Sequence, residues 1–163
     1  PDLARRMWIM PERQMTLRSL LGWMLQPAAK GGVAGWLGVG LAGGLAVWTA
    51  REAWGARPDR EGGLLALGAA LSAALLAAPH LFDYDLGMHG VGLAASAAWL
   101  LRSGRAARPR AGTALATAAY LAVLAYPASL WLRLNLGVVA LVAWVVWMTL
   151  ELRSLRLGQR EEA

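Results

Sequence analysis

Apolar positions along this chain fall in long, nearly uninterrupted runs, not in the alternating or i, i+3, i+4 patterns of half-buried elements. The runs cover roughly 33–50, 63–78, 86–101, 112–132 and 134–152 and carry almost no charge. Each approaches the ~20 residues a helix needs to cross a hydrocarbon core about 30 Å thick. Lipid offers no partner for a free N–H or C=O, so spans of this kind satisfy their backbone internally as helices. The pattern predicts an all-α fold, an integral membrane helical bundle with about five transmembrane helices. The second and third runs are short and meet at Pro79 and His80, so they must borrow flanking residues or sit in a thinned bilayer. Pro127 predicts a kink near Tyr126 in the fourth.

One segment has a helical stripe. Leu17, Leu20, Leu21 and Met24 recur at i, i+3, i+4 and i+7, with Arg18, Ser19 and Gly22 on other faces and Pro27 closing the segment. It reads as an interfacial amphipathic helix, or as one packed on a preceding part of the protein. Residues 1–32 are then an extracytoplasmic or interfacial segment, 33–152 the transmembrane bundle, and 153–163 a cytoplasmic tail.

Composition and charge refine this picture. The chain is 58% hydrophobic and 16% charged, with a net charge of +6 and a pI near 11. In a soluble domain such a balance suggests nucleic acid. Here the arginines sit in short links between apolar runs, where membrane topology accounts for them, so no nucleic-acid partner is expected. Arg51, Arg57 and Arg60 form one basic stretch, Arg102, Arg105, Arg108 and Arg110 a second, and Arg153, Arg156 and Arg160 a third. With five spans all three fall on one side, predicted cytoplasmic, and the C-terminus with them. The loop around His80 to Asp85, the turn at Arg133 and Asn135, and the N-terminal segment face the other way. That segment carries Arg5, Arg6, Arg13, Arg18 and Lys30 on the side where basic residues are usually scarce. The absence of cysteine excludes disulfides and Cys-ligated metal sites. Fifteen arginines against the single Lys30, with abundant Ala, Gly and Leu, suggest a GC-rich bacterial genome and hence a bacterial plasma membrane. The start at Pro1, with no signal-like order after it, reads as the C-terminal piece of a longer polypeptide.

Several motifs have structural explanations. Gly38, Gly40 and Gly43 spell G-x-G-x-x-G inside an apolar run, with no preceding strand and no new helix N-terminus, so they do not predict a dinucleotide site. Gly40 with Gly44, Gly68 with Ser72, and Ala94 with Ala98 are spaced for close helix contact. Trp36, Trp48, Trp99 and Trp131 fall near span ends, where indoles anchor at headgroup level. The stretch from Ala78 to Leu86 is different. Asp83 and Asp85 are the acidic residues that lie between closely spaced spans and outside an Arg-rich link or tail, and His80, Tyr84 and His89 are nearby. Ionisable groups at membrane depth usually face a protein interior or an aqueous cavity. Alternatively, Asp83 caps the third helix. His80, Asp83, Asp85 and His89 match no strong metal spacing, so neither a metal nor another cofactor is expected.

The run Pro79-His80-Leu81-Phe82-Asp83-Tyr84-Asp85-Leu86 resembles the C-terminal signature of the glycosyltransferase family 87 membrane proteins, of the multispanning GT-C class. Arg13 to Leu21 is similar to the segment that precedes the late spans there. The chain departs from the family pattern at Ala78, where Ser is common, and at Gly87, His89 and Gly90, where bulkier aliphatics are usual. The resemblance implies transfer of a hexose, typically mannose, from a polyprenyl-phosphate carrier to a glycolipid or polysaccharide acceptor at the extracytoplasmic face. A carboxylate deprotonates the acceptor hydroxyl, whose oxygen attacks the anomeric carbon and displaces the polyprenyl phosphate with inversion. The resemblance puts that base in a loop upstream of this chain, so no catalytic residue is assigned here. His80, Asp83, Tyr84, Asp85 and Arg18 are the substrate-binding candidates. Arg13, Arg18 and Lys30 would meet the carrier phosphate or anionic headgroups. The alternative is a non-catalytic membrane scaffold or assembly subunit.

Overall fold

A computed structural model describes residues 21, 33–55, 60–77, 87–104, 106–121 and 135–161. The described chain is all-helical: α1 (Val33–Gly55), α2 (Arg60–Ala77), α3 (Gly87–Arg102), α4 (Pro109–Leu121) and α5 (Leu136–Glu161), with no strand among the described residues. The helices coincide with the five apolar runs but end differently. α1 continues past residue 50 through Arg51 and Glu52, and α5 runs through most of the stretch assigned to a tail. At 1.5 Å per residue, α2 and α3 measure about 27 Å and 24 Å and α5 about 39 Å. Among the described residues, Leu136–Gln159 is long and apolar enough to cross a membrane by length and composition, and Gly62–Ala77 is apolar but shorter.

The helix ends follow from local chemistry. Asn135 caps α5, its Oδ1 accepting from the Val138 N–H at 3.2 Å. α3 closes on a bond from the Ser103 N–H to the Trp99 carbonyl at 2.9 Å, and Gly104 follows at φ 60°, the left-handed conformation that ends helices cheaply only at glycine. α4 opens with Pro109 in its first turn, where the missing N–H is not needed.

Contacts between helices set their directions. Gly68 meets Gly92 and Ser96, and Ser72 meets Gly92, so α2 and α3 are antiparallel. Thr49 bonds Thr149, and Glu52 faces Arg156, so α1 and α5 run parallel and side by side. α4 runs against α5, because Ala107 and Arg108 meet Glu151 while Gly112 meets Trp147. α5 packs against α1, α2 and α4, and its Val138, Leu141, Trp144, Val145, Met148 and Leu152 form the centre of the buried core.

Small residues place this packing more sharply than the sequence pattern did. A Cβ on Gly68 would stand 2.8 Å from the Gly92 carbonyl oxygen and 3.0 Å from Ser96, so the α2–α3 seam depends on its absence. Ser96 donates its hydroxyl to the Gly92 carbonyl at 2.6 Å, which keeps a polar side chain satisfied in the seam. The partner face on α3 is therefore Gly92 and Ser96, not Ala94 and Ala98; Ala94 is exposed. Gly40 and Gly44 likewise have nothing within 4 Å of an added Cβ, so they do not join α1 to the bundle. α1 instead turns Gly38, Ala42, Thr49 and Glu52 inward. Trp99 is not at a lipid interface but buried, edge-on to Trp147 at 6.3 Å, while Trp147 stacks on Trp144 at 4.9 Å.

Candidate functional site

His80, Asp83, Tyr84, Asp85 and Arg18 lie outside the described residues, as do the segment 17–24 apart from Leu21 and the predicted kink at Pro127. What can be placed is the frame around them. α1, α3 and α5 run one way and α2 and α4 the other. The C-terminal end of α2 at Ala77 and the N-terminal end of α3 at Gly87, which flank 78–86, therefore sit at one end of the bundle. Arg51, Arg102, Arg108, Arg110, Arg153 and Arg156 sit at the other. Among the described residues, the arginines of the helix links lie at the end opposite the helix ends that flank 78–86.

His89 lies in the first turns of α3, at the end of the bundle that flanks 78–86, and is 3% exposed. Its ring is hydrogen-bonded to the main chain of Ala119 on α4, while Nδ1 has no partner. A buried imidazole nitrogen with an unused lone pair or proton is uncommon. It is the described ionisable group nearest in sequence to the Pro79–Leu86 segment.

The remaining buried polar groups are tied into helix packing. At the arginine end, the Glu151 carboxylate, 3% exposed, accepts the Ala107 N–H at 2.8 Å with one oxygen and the Arg108 N–H at 3.1 Å with the other. Arg108 occupies the cap position of α4, where its side chain has no acceptor to offer, and α5 supplies the missing carboxylate. One turn further along α5, Arg156 Nη1 lies 3.1 Å from Glu52 Oε2. That oxygen and Arg156 Nε make no aligned hydrogen bond, so the contact is a charge pair and not a fork. Gly55 makes it reachable, because a side chain there would run into the Arg156 stem. Thr149 shares a 2.9 Å bond with Thr49 and donates to the Val145 carbonyl at 2.8 Å. The role of Glu151 was detectable only as an acidic residue inside an otherwise apolar span. Nothing in the sequence paired it with Ala107 and Arg108, 44 and 43 residues away.

Around an apolar core, polar side chains are buried between helices while large apolar ones face outward. Thr49, Glu52, Ser72, His89, Ser96, Thr149 and Glu151 are buried, whereas Trp36 is 76%, Trp54 91% and Leu101 84% exposed. Every described helix turns at least one large apolar side chain outward. No three His, Asp or Glu side chains among the described residues are placed to hold a metal ion. No protein family, curated protein or solved structure matches this chain.

Proposed function

We propose that this chain is the lipid-embedded C-terminal portion of a glycosyltransferase that moves a hexose, mannose in the family it resembles, from a polyprenyl-phosphate carrier to a cell-envelope acceptor. The observation that supports the membrane part is the apolar exterior, with Trp36, Trp54 and Leu101 facing outward while Glu52, Ser72, Ser96, Thr149 and Glu151 are buried between helices. Water would disfavour both the exposed Trp and Leu side chains and the buried Glu, Ser and Thr. In lipid the apolar exterior is solvated, and buried polar groups bond one another across helices. On this reading the bundle crosses the bacterial plasma membrane five times. The arginine end is cytoplasmic and the end flanking 78–86 extracytoplasmic, where GT-C chemistry occurs.

The transferase part rests on the resemblance of Pro79 to Leu86. His80, Asp83, Tyr84 and Asp85 would bind sugar hydroxyls or the carrier phosphate, with Arg18 reaching the phosphate from the N-terminal segment. The rival reading, a scaffold subunit, has its own support: Glu52, Thr49, Thr149 and Glu151 all serve helix packing. Asp85→Asn separates the two, because it keeps size and most hydrogen-bonding capacity. Membranes from cells expressing the full-length protein should hold normal amounts of the variant and transfer labelled hexose from the lipid carrier at least tenfold more slowly. Unchanged transfer would favour the scaffold.

A further inference from the structure

We propose that the turn joining α3 to α4 binds an anionic glycerophospholipid, its phosphate held by Arg102, Arg108 and Arg110 and an acyl chain lying against Leu101. The proposal rests on the lipid-embedded reading above and is independent of glycosyl transfer.

Charge at this end is unbalanced in a particular way. The two buried carboxylates are already engaged, Glu52 by Arg156 and Glu151 by the N–H groups of Ala107 and Arg108. Among the described residues, Arg51, Arg102, Arg108, Arg110 and Arg153 are exposed there, with Glu161 as the exposed carboxylate. None of these five arginines has an ion-pair partner among the described residues. Three of them bracket a single turn between two helices that pack on each other.

That turn is held in place before any ligand arrives. Gly104 reverses the chain at φ 60°, and Glu151 fixes the main chain of Ala107 and Arg108 from behind. A fixed backbone lowers the ordering cost of binding, leaving only the arginine side chains to settle. The Ala107 and Arg108 N–H groups are already used, and the guanidinium forks match phosphate oxygens.

The neighbouring surface selects the source of the phosphate. Leu101, adjacent to Arg102, is 84% exposed. An anionic head joined to an aliphatic tail fits both halves of this surface. A soluble phosphate or a nucleic acid fits only the charged half.

The test uses the full chain in detergent micelles, with native mass spectrometry counting bound phosphatidylglycerol and phosphatidylcholine as their mole fraction rises. Phosphatidylglycerol should be retained preferentially. R108Q/R110Q should weaken that retention by about fivefold for each arginine removed, while R51Q/R153Q, an equal loss of charge, should change it by less than about threefold. Equal retention of the two lipids, or equal loss in the two double variants, overturns the site. So does displacement of phosphatidylglycerol by a short DNA duplex. Recovery of the chain in the membrane fraction, extractable only with detergent, preserves the membrane reading when the lipid preference fails; recovery without detergent removes both.

Discussion

Replacing Glu151 by Ala should detach the start of α4 from α5. The carboxylate is buried and accepts two main-chain N–H groups, at 2.8 Å and 3.1 Å. Hydrogen bonds to a charged acceptor are worth about 1.5–3 kcal/mol each, which sets an upper limit of about 6 kcal/mol for the two. Ala107 and Arg108 are exposed, so water reaches their N–H groups once the carboxylate is gone. The loss then resembles that of a strong helix cap, up to about 2 kcal/mol. The expected cost of Glu151→Ala lies between these limits, at about 2–3 kcal/mol. Glu151→Gln keeps one acceptor oxygen and should cost roughly half as much. Unfolding by dodecyl sulfate, followed by tryptophan emission, provides the assay. Trp147 lies one turn before Glu151, stacks on Trp144 and touches Trp99, so its emission senses the departure of α4. The same ring lies directly against Gly112 of α4. A Glu151→Ala variant within about 0.5 kcal/mol of wild type, the range of an ordinary surface substitution, would refute the capping argument.

Two further predictions use the same denaturation assay. Gly68→Ala should cost about 1–3 kcal/mol by wedging α2 from α3, since its methyl would meet the Gly92 carbonyl at 2.8 Å. Gly43→Ala, with nothing within 4 Å, should be neutral or stabilising by up to ~1 kcal/mol, and equal costs for the two would contradict the assigned seam. Glu52→Gln strands the Arg156 guanidinium and should cost about 3 kcal/mol, the low end for a buried pair because Arg156 retains some solvent. Adding Arg156→Gln should recover part of that loss, and simple additivity of the two would show that the charges are not coupled.

The sequence made the helices legible because uninterrupted apolar length favours a helix whose backbone is satisfied internally, and each of the five runs contains a described helix. It also separated the described arginines of the links from the flanks of 78–86, because successive helices of alternating direction fix which links share an end. Partner faces were less legible. Gly40-x-x-x-Gly44 and Gly68-x-x-x-Ser72 have the same local spacing, yet only the second meets a neighbour. Spacing specifies that a helix can be approached, while the choice depends on which other helix carries matching small residues, here Gly92 and Ser96. Trp99 misled for a related reason: proximity to a span end predicts an interfacial ring only when no core position lies at that depth. The functions of Glu151 and Thr149 depended on partners some 44 and 100 residues away, beyond any local pattern.

The pairing of α1 with α5 has a consequence for synthesis. Thr49 and Glu52 find their partners, Thr149 and Arg156, only in the last described helix. At about 5–20 residues per second, α1 waits on the order of five to twenty seconds after leaving the ribosome before those groups are matched. During that interval a carboxyl and a hydroxyl near the end of α1 lack the partners that later bury them. A nascent chain halted before α5 would keep them unmatched, a feature by which quality-control proteases can distinguish an unfinished bundle from a finished one.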